Sequence, residues 1–380
     1  MVFTKKSIPF FIAILIAFLP LNGNATPQDT LAVKKEVIVI EKQEVKDEAT
    51  EKQEKIDEVI GHHVLDGHSF SLFADEAEKA HYGFSLPIIL WDNGIQLFSS
   101  SKFHNGESVA ESNGNYYFLH HEKIYKTDAT GKLNTELVEG EEHVTNAQPL
   151  DFSITKGVLT IIVVAILMLL LFVSLAKSYA KNGGISSGVG RFFEPIVLYV
   201  RDEIAIPNIG EKHYKKYMSF LLTIFFFIWF LNIFGLTPLG INVTGNIAVT
   251  AGLAIITYLI TTFTAKKDYW MHIFWMPGVP VPMKIILAPI ELLGTIIKPF
   301  SLMIRLYANI FAGHIVLMSL VALMFIFHNW VGSSMSFLLS FAISLIEILV
   351  ALLQAYIFTM LSALYFGAAS EEHHHEEAHH

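Results

Sequence analysis

The sequence predicts a mainly α-helical, polytopic transmembrane bundle that ends in two very long helices and carries an N-terminal β-rich extension on the periplasmic side. Three observations carry this expectation. Hydrophobic residues fill 53% of the 380 positions and charged residues 16%, with a mean hydropathy of +0.48, a balance typical of membrane proteins rather than soluble domains. The apolar residues are concentrated after Ile154, in runs long enough to span a bilayer. Before that point they come as short aromatic and β-branched runs separated by turn signals. The formal net charge of −9 comes mainly from the first half and the Glu/His-rich end, and it argues against nucleic-acid binding. There is no cysteine, which excludes disulfides, thiolate chemistry and cysteine-ligated zinc.

Residues 1–25 place Lys5-Lys6 before the apolar run Ile8 to Leu21 and a small-residue exit at Gly23-Asn24-Ala25. That is the layout of a secretory signal peptide, too short for a comfortable span, so the mature chain is expected to begin outside the cytoplasm. Residues 26–60 alternate Glu, Lys and Asp with few aromatics and read as a charged linker or solvated helix. Residues 61–150 hold runs such as Phe84-Ser85-Leu86-Pro87-Ile88-Ile89-Leu90-Trp91 and Asn115-Tyr116-Tyr117-Phe118-Leu119 between Asn-Gly and Gly-Lys turns, the pattern of a small β-rich domain. His62, His63, His68, His81, His104, His120, His121 and His143 fall in this region without regular metal spacing, so packed or surface histidines are expected and no metal site.

Residues 151–369 form the expected transmembrane domain, with candidate spans at 155–176, 217–238, 246–265, 285–327 and 334–367. A bilayer core of about 30 Å needs roughly 20 helical residues, so the last two runs must tilt, bend or leave the membrane at one end. Pro289 and Pro299 are expected to interrupt the first of them. Phe192 to Glu203 mixes apolar and charged residues and is expected along the inner membrane surface. Trp270 to Pro282 is aromatic with three prolines and reads as a non-helical interfacial link. Lys177, Lys181, Arg191, Arg201, Lys212, Lys215 and Lys216 follow the first span and Lys266-Lys267 the third, whereas 239–245 and 328–333 contain no Lys or Arg. By the positive-inside rule the basic connections are cytoplasmic, which agrees with a start outside and five spans. The Glu/His-rich tail 370–380 is then cytoplasmic and reads as a solvated end.

Arg305 stands alone in the most apolar part of the chain, and a central arginine costs roughly 2.5–3.5 kcal/mol on insertion scales. Its guanidinium is permanently charged. Ser301 and Asn309 lie four residues to either side and share its helix face. Glu291 lies fourteen residues earlier, about 21 Å along a continuous helix, on the cytoplasmic side of Arg305. The last span runs back inward, so Glu347 falls at the depth of His314, outside Arg305, and Gln354 near the depth of Arg305. An ionisable outer pair, a central fixed cation and an inner carboxylate suit ions that enter from one face, are blocked at the centre and leave by an offset route. For Asn232, Ser301 and Asn309, interhelical glue and channel lining both stay open.

These residues resemble one family, subunit a of the rotary F-type ATP synthase, the membrane stator beside the ring of c subunits. The resemblance covers 150–370 and rests on Leu231-Asn232-Ile233-Phe234-Gly235-Leu236-Thr237-Pro238, Pro289-Ile290-Glu291, Lys298-Pro299-Phe300-Ser301-Leu302, Arg305-Leu306-Tyr307-Ala308-Asn309 with Ala312-Gly313, and Leu353-Gln354-Ala355-Tyr356-Ile357-Phe358. It implies that Arg305 is the essential stator arginine, Gln354 its glutamine neighbour and Glu291 the acid of the cytoplasmic half-channel. It also implies an outer half-channel pair at His314 and Glu347. Bacterial relatives often have that pair the other way round, and the order here is similar to the mitochondrial one. Ala308 stands where many relatives have glycine, and the long N-terminal extension departs from the family's usual short one.

The implied function is proton translocation through two offset half-channels, coupled to ring rotation and ATP synthesis in the bacterial inner membrane. The implied partners are the c ring, the b-subunit peripheral stalk, the remaining ATP synthase subunits and the lipid bilayer. No phosphate-cradling Gly-rich motif is present, so the chain is not expected to be an enzyme on its own, and no cofactor is implied. A sodium-translocating version is the alternative within the family. A secondary transporter would show inverted repeats, which the sequence lacks, and a membrane-anchored sensor would have no use for Arg305.

Overall fold

The structure, a computed structural model, describes residues 66–371 except 76–79, 107, 139–140, 182, 184–187, 189, 238–240, 277 and 327–329. The expected signal peptide, the charged linker, His62, His63, Pro238 and the tail from 372 lie outside the described residues. All described residues belong to one unit, Ile56–His380.

Among the described residues, short β-branched and aromatic runs give ten strands. β1 (Ser69–Asp75) pairs with β2 (Ala80–Ser85), and β3 (Pro87–Trp91) lies between β4 (Ile95–Ser99) and β10 (Leu150–Asp151). β6 (Asn115–His120) lies between β5 (Ala110–Ser112) and β7 (Lys123–Thr127), and β8 (Thr135–Val138) pairs with β9 (Glu141–Val144). Alternation turns Ile88, Leu90 and Phe98 inward to meet Phe103, Tyr117 and Ile124. Burial of each such side chain contributes roughly 1.5–3 kcal/mol. At the edge of this core Asp92 accepts hydrogen bonds from Lys126 (2.7 Å) and the Tyr117 hydroxyl (3.0 Å). The Lys126 ammonium holds the Asp92 carboxyl below the usual carboxylate range.

Asn113 and Gly114 close the β5–β6 hairpin with φ of 50° and 77°, as a two-residue type I′ turn requires. The β6–β7 hairpin is closed by His121 and Glu122 at 46° and 59°. Glu122 does not favour that region, so surrounding contacts must hold strain of roughly 1–3 kcal/mol there.

The apolar half folds into helices α1 (Lys156–Lys181), α2 (Gly190–Tyr199), α3 (Ile206–Ile209), α4 (Tyr214–Gly235), α5 (Ile247–Thr264), α6 (Lys267–Phe274), α7 (Val281–Ile326) and α8 (Trp330–Ser370). Five of them, α1, α4, α5, α7 and α8, are long and apolar enough to cross a bilayer. A π-helical turn, Val200–Ala205, joins α2 to α3. The first turn of α1 is capped from the β-domain: Asp66 Oδ1 accepts the Gly157 N–H (2.9 Å), and Oδ2 accepts the Thr155 hydroxyl (2.8 Å). Such a cap satisfies a donor that the helix leaves open.

Hydrogen bonds fix the antiparallel order. The Tyr217 hydroxyl, near the start of α4, meets Thr264 at the end of α5 (2.8 Å) and Ser370 at the end of α8 (3.1 Å). At the opposite end of α4, Asn232 meets Thr244 and the Ala351 carbonyl. The core centres on α4, where Leu221, Phe226, Ile228 and Leu231 are fully enclosed. Phe193 of α2 packs edge-on against Phe226 and Phe230. α8 approaches α3 so closely that a Cβ on Gly367 would collide with the Asn208 carbonyl.

Two expectations are corrected. α7 is one helix of 46 residues that passes through Pro289 and Pro299, because each proline removes only one backbone donor and neighbouring turns keep the helix. Its length is about 69 Å at 1.5 Å per residue, more than twice a bilayer core. The link after the third span is helical over Lys267–Phe274, since its first proline comes only at Pro277 and Trp270 stacks on Phe274 one turn later.

Candidate functional site

The continuity of α7 sets the position of its polar residues. Leu302 and Leu306 point into the core, and the stripe beside them, Ser301, Arg305 and Asn309 at four-residue spacing, is exposed. Among the described residues no side chain forms an ion pair with Arg305. Gln354, on α8, is 2% exposed and accepts a hydrogen bond from Asn309 Nδ2 at 3.0 Å. The glutamine expected beside Arg305 is thus tied to the next turn of the same helix.

Beyond Asn309 lies a cavity of about 260 Å³ between α4, α7 and α8, with His314, Glu347, Asn232 and Asn309 in its wall. The structure therefore brings four of the sequence-selected residues to one space. Two further polar residues, Asn242 and Thr244 from the loop between α4 and α5, complete the wall. Thr244 Oγ1 donates to Asn232 Oδ1 at 2.7 Å, and Asn232 Nδ2 donates to the Ala351 carbonyl at 3.4 Å. Glu347 Oε2 and Asn242 Nδ2 are buried without a hydrogen-bond partner. Gly313 lets the acid in: a Cβ there would lie 2.5 Å from Glu347 Oε1. Asn242 and Thr244 escaped the sequence reading because a polar loop between spans looks like ordinary connection chemistry. Gly313 was visible only as part of a motif.

Glu291 stands apart. It precedes His314 by 23 residues, about 35 Å of helix, is half-buried, and lies close enough to Tyr269 to influence it electrostatically. A separate cavity of about 20 Å³ opens near that end, lined by Tyr258, Tyr269, Thr295, Lys298 and Tyr365. Neither Glu291 nor Ser301 lines it, and the Lys298 ammonium sits 5.9 Å over the Tyr365 ring.

A second ionisable cluster, in the β-domain, was not singled out by the sequence. His68 is 4% exposed, with Nε2 at 2.8 Å from Asp151 Oδ2 and Nδ1 at 3.9 Å from Glu122 Oε2. Its backbone N–H donates to the same Glu122 oxygen at 3.3 Å. Burial alone would lower the imidazole pKa, but hydrogen bonding and the charges of Asp151 and Glu122 outweigh it and raise the value to about 9. His68 thus faces two carboxylates where the β-domain meets α1. Among the described residues no three His, Asp or Glu side chains converge as metal ligands do.

Comparison with known proteins divides the chain in the same place. Residues 59–152 match a family described as a domain of unknown function (DUF8433), and residues 158–367 match the family described as ATP synthase A chain. ATP synthase subunit a 2 of Chlorobaculum tepidum is 40% identical over 250 residues, covering 63% of this chain and 70% of that protein. ATP synthase subunit a of Chloroherpeton thalassium is 42% identical over 235 residues, covering 60% and 70%, and that of Pelodictyon phaeoclathratiforme is 41% identical over 257 residues, covering 63% and 75%. With five helices among the described residues fit to cross a bilayer and a match over more than half of its length, this chain is a multi-pass membrane protein that belongs to the subunit a family of the F-type ATP synthase.

Proposed function

We propose that this subunit is the stator of a proton-driven rotary ATP synthase and that it carries two half-channels offset across Arg305. The observation that carries the reading is the relation between the polar cavity and the arginine. The cavity holds His314 and Glu347, and the Asn309–Gln354 bond marks its inner end. One turn further, Arg305 presents its charge on the outer surface of the chain, where a partner can reach it. Protons enter through the cavity, whose volume and buried unpartnered polar atoms suit water, and pass to a carboxylate on the c ring. After rotation that carboxylate meets Arg305, whose charge favours its ionised form, and the proton leaves past Glu291. The fixed guanidinium also bars a direct leak between the two routes. The ring, the b-subunit stalk and the catalytic head are the partners that this role requires.

In this reading the β-domain lies in the periplasm of a bacterial inner membrane and the end of α8 in the cytoplasm, and the two long helices tilt to match the bilayer. The basic connections and the signal-like N-terminus support it. Mass spectrometry of the purified subunit should find a chain that begins near Thr26, and an intact Met1 terminus would overturn the cleavage.

Arg305→Ala should abolish ATP synthesis and ATP-driven pumping in inverted vesicles while the complex still assembles. Normal coupled synthesis by that variant would sink the assignment.

A further inference from the structure

One face of the β3–β4–β10 sheet is apolar and open. Trp91, Ile95, Leu97, Leu150 and Phe152 are 55–67% exposed, and strand pairing makes them neighbours. Leu150 lies opposite Trp91, Trp91 opposite Ile95, and Ile89 opposite Leu97. Phe152 donates its N–H to Ile89 O at 2.9 Å. The inward positions Ile88, Leu90 and Phe98 already fill the domain core, so this second apolar face is not needed for folding. Strands with one solvated face normally alternate apolar and polar residues, and these do not. An apolar patch of this kind marks a protein or membrane contact.

We propose that this face rests on the lipid surface beside α1. The first reason is continuity with the surface that faces the bilayer. The strand edge runs on from Phe152 through the bond from Ile154 N–H to Pro87 O (3.2 Å) into α1 at Lys156. There Val158, Ile162 and Ile166 expose their side chains in turn. The second is reach. Lys156 follows Leu150 by six positions, at most about 20 Å of extended chain, and the domain cannot drift away because Asp66 caps α1 and the Lys156 N–H donates to Gly67 O at 3.0 Å. The third is chemistry. The outward positions on β3 and β4 are Pro87, Ile89, Trp91, Ile95, Leu97 and Ser99, without a charge, whereas protein interfaces intersperse polar groups and carry a polar rim. Tryptophan and other amphipathic aromatics favour the headgroup level of a bilayer. The inference requires only that α1 crosses the membrane, and it assigns the domain a lipid contact that ion translocation does not need.

The absence of cysteine gives a direct test. Leu97→Cys is labelled with an environment-sensitive fluorophore in the assembled complex, which is then placed in lipid nanodiscs whose lipids carry a nitroxide high on the acyl chain. Lys132→Cys, on an exposed loop of the same domain, is the control, and a complex with the unaltered chain gives the background from other subunits. Lipid contact predicts about two-fold or stronger quenching at 97 over the control. Quenching equal to the control overturns the proposal, whether the probe is open to aqueous iodide, as on a free surface, or shielded from it, as under another subunit. Leu150→Cys on the neighbouring strand is the second reporter should position 97 disturb assembly.

Discussion

The two ionisable clusters of this chain differ in where their partners are. At the foot of the β-domain, the charge of His68 is answered within the chain, by Asp151 at 2.8 Å and Glu122 at 3.9 Å, although its Nδ1 makes no hydrogen bond, and Asp66 caps α1. In the bundle, Arg305 is exposed and unpaired among the described residues, and Glu347 Oε2 is buried without a hydrogen bond. A buried unsatisfied group costs roughly 1–3 kcal/mol, so a fold keeps one only where something else, a water, an ion or a partner, completes it. A closed set of charges holds parts together, whereas an open set is suited to exchange. On the proposed function, the same residue types serve structure in one region and transport in the other, and pairing of charge within the chain distinguishes the two uses.

The largest effect is expected where the open set is most exposed. Arg305→Lys should support little or no coupled synthesis, because an ammonium lacks the planar fork and loses its proton more readily when desolvated. Wild-type rates from that variant would show that charge alone suffices and that the guanidinium geometry is irrelevant.

His314 and Glu347 come next, as the proposed inlet. His314→Ala and Glu347→Gln should each slow proton-driven synthesis by about ten-fold and alter its pH dependence, since neighbouring titratable groups in one cavity shift each other. The double exchange His314→Glu with Glu347→His should recover part of the rate, because residues in one network combine non-additively. Rates in the double variant as low as the two single losses combined would separate the residues into independent sites. Gly313→Ala tests the seat of the acid. Its new Cβ must displace Glu347, and we expect a several-fold slower rate with normal assembly, of the kind that small misplacements of a reacting group produce. A Gly313→Ala variant with unchanged synthesis would mean that Glu347 has room to move.

The smallest effect on turnover, and the sharpest on local stability, belongs to the closed set. His68→Gln should leave coupled synthesis unchanged and loosen the junction between the β-domain and α1, as read by hydrogen exchange at Lys156 and Gly157. The folded His68 pKa of about 9 lies above the ordinary 6.5. Its charge therefore contributes fully below pH 6.5, and the contribution is lost as pH rises through about 9. The shift corresponds to roughly 3 kcal/mol, counted once for the His68–Asp151 pair although both partners are shifted. In the native protein, protection of these amides, corrected for intrinsic exchange, should fall across that alkaline window and should not fall in His68→Gln. Loss of synthesis in His68→Gln would break the comparison, because the closed cluster would then belong to transport.

The sequence by itself determined the helical bundle, because a bilayer interior forces each span to satisfy its own backbone in a long apolar helix, a demand written into local composition. It likewise marked Arg305, Glu291, His314 and Glu347, since ionisable residues in apolar runs are too costly to be accidental. The short strands were legible as aromatic and β-branched runs between Asn-Gly and Gly-Lys turns, although the strained His121-Glu122 turn carries no such signature. Tertiary structure alone decided which groups meet. His68 and Asp151 are 83 residues apart, Thr244 reaches Asn232 across a turn between two spans, and Gly313 matters only because Glu347 of the next helix lies against it. Such contacts depend on packing between distant segments, which leaves no period and no compositional trace. The same holds for the uninterrupted course of α7 through its prolines, which neighbouring turns sustain and which places Arg305 on the outer face.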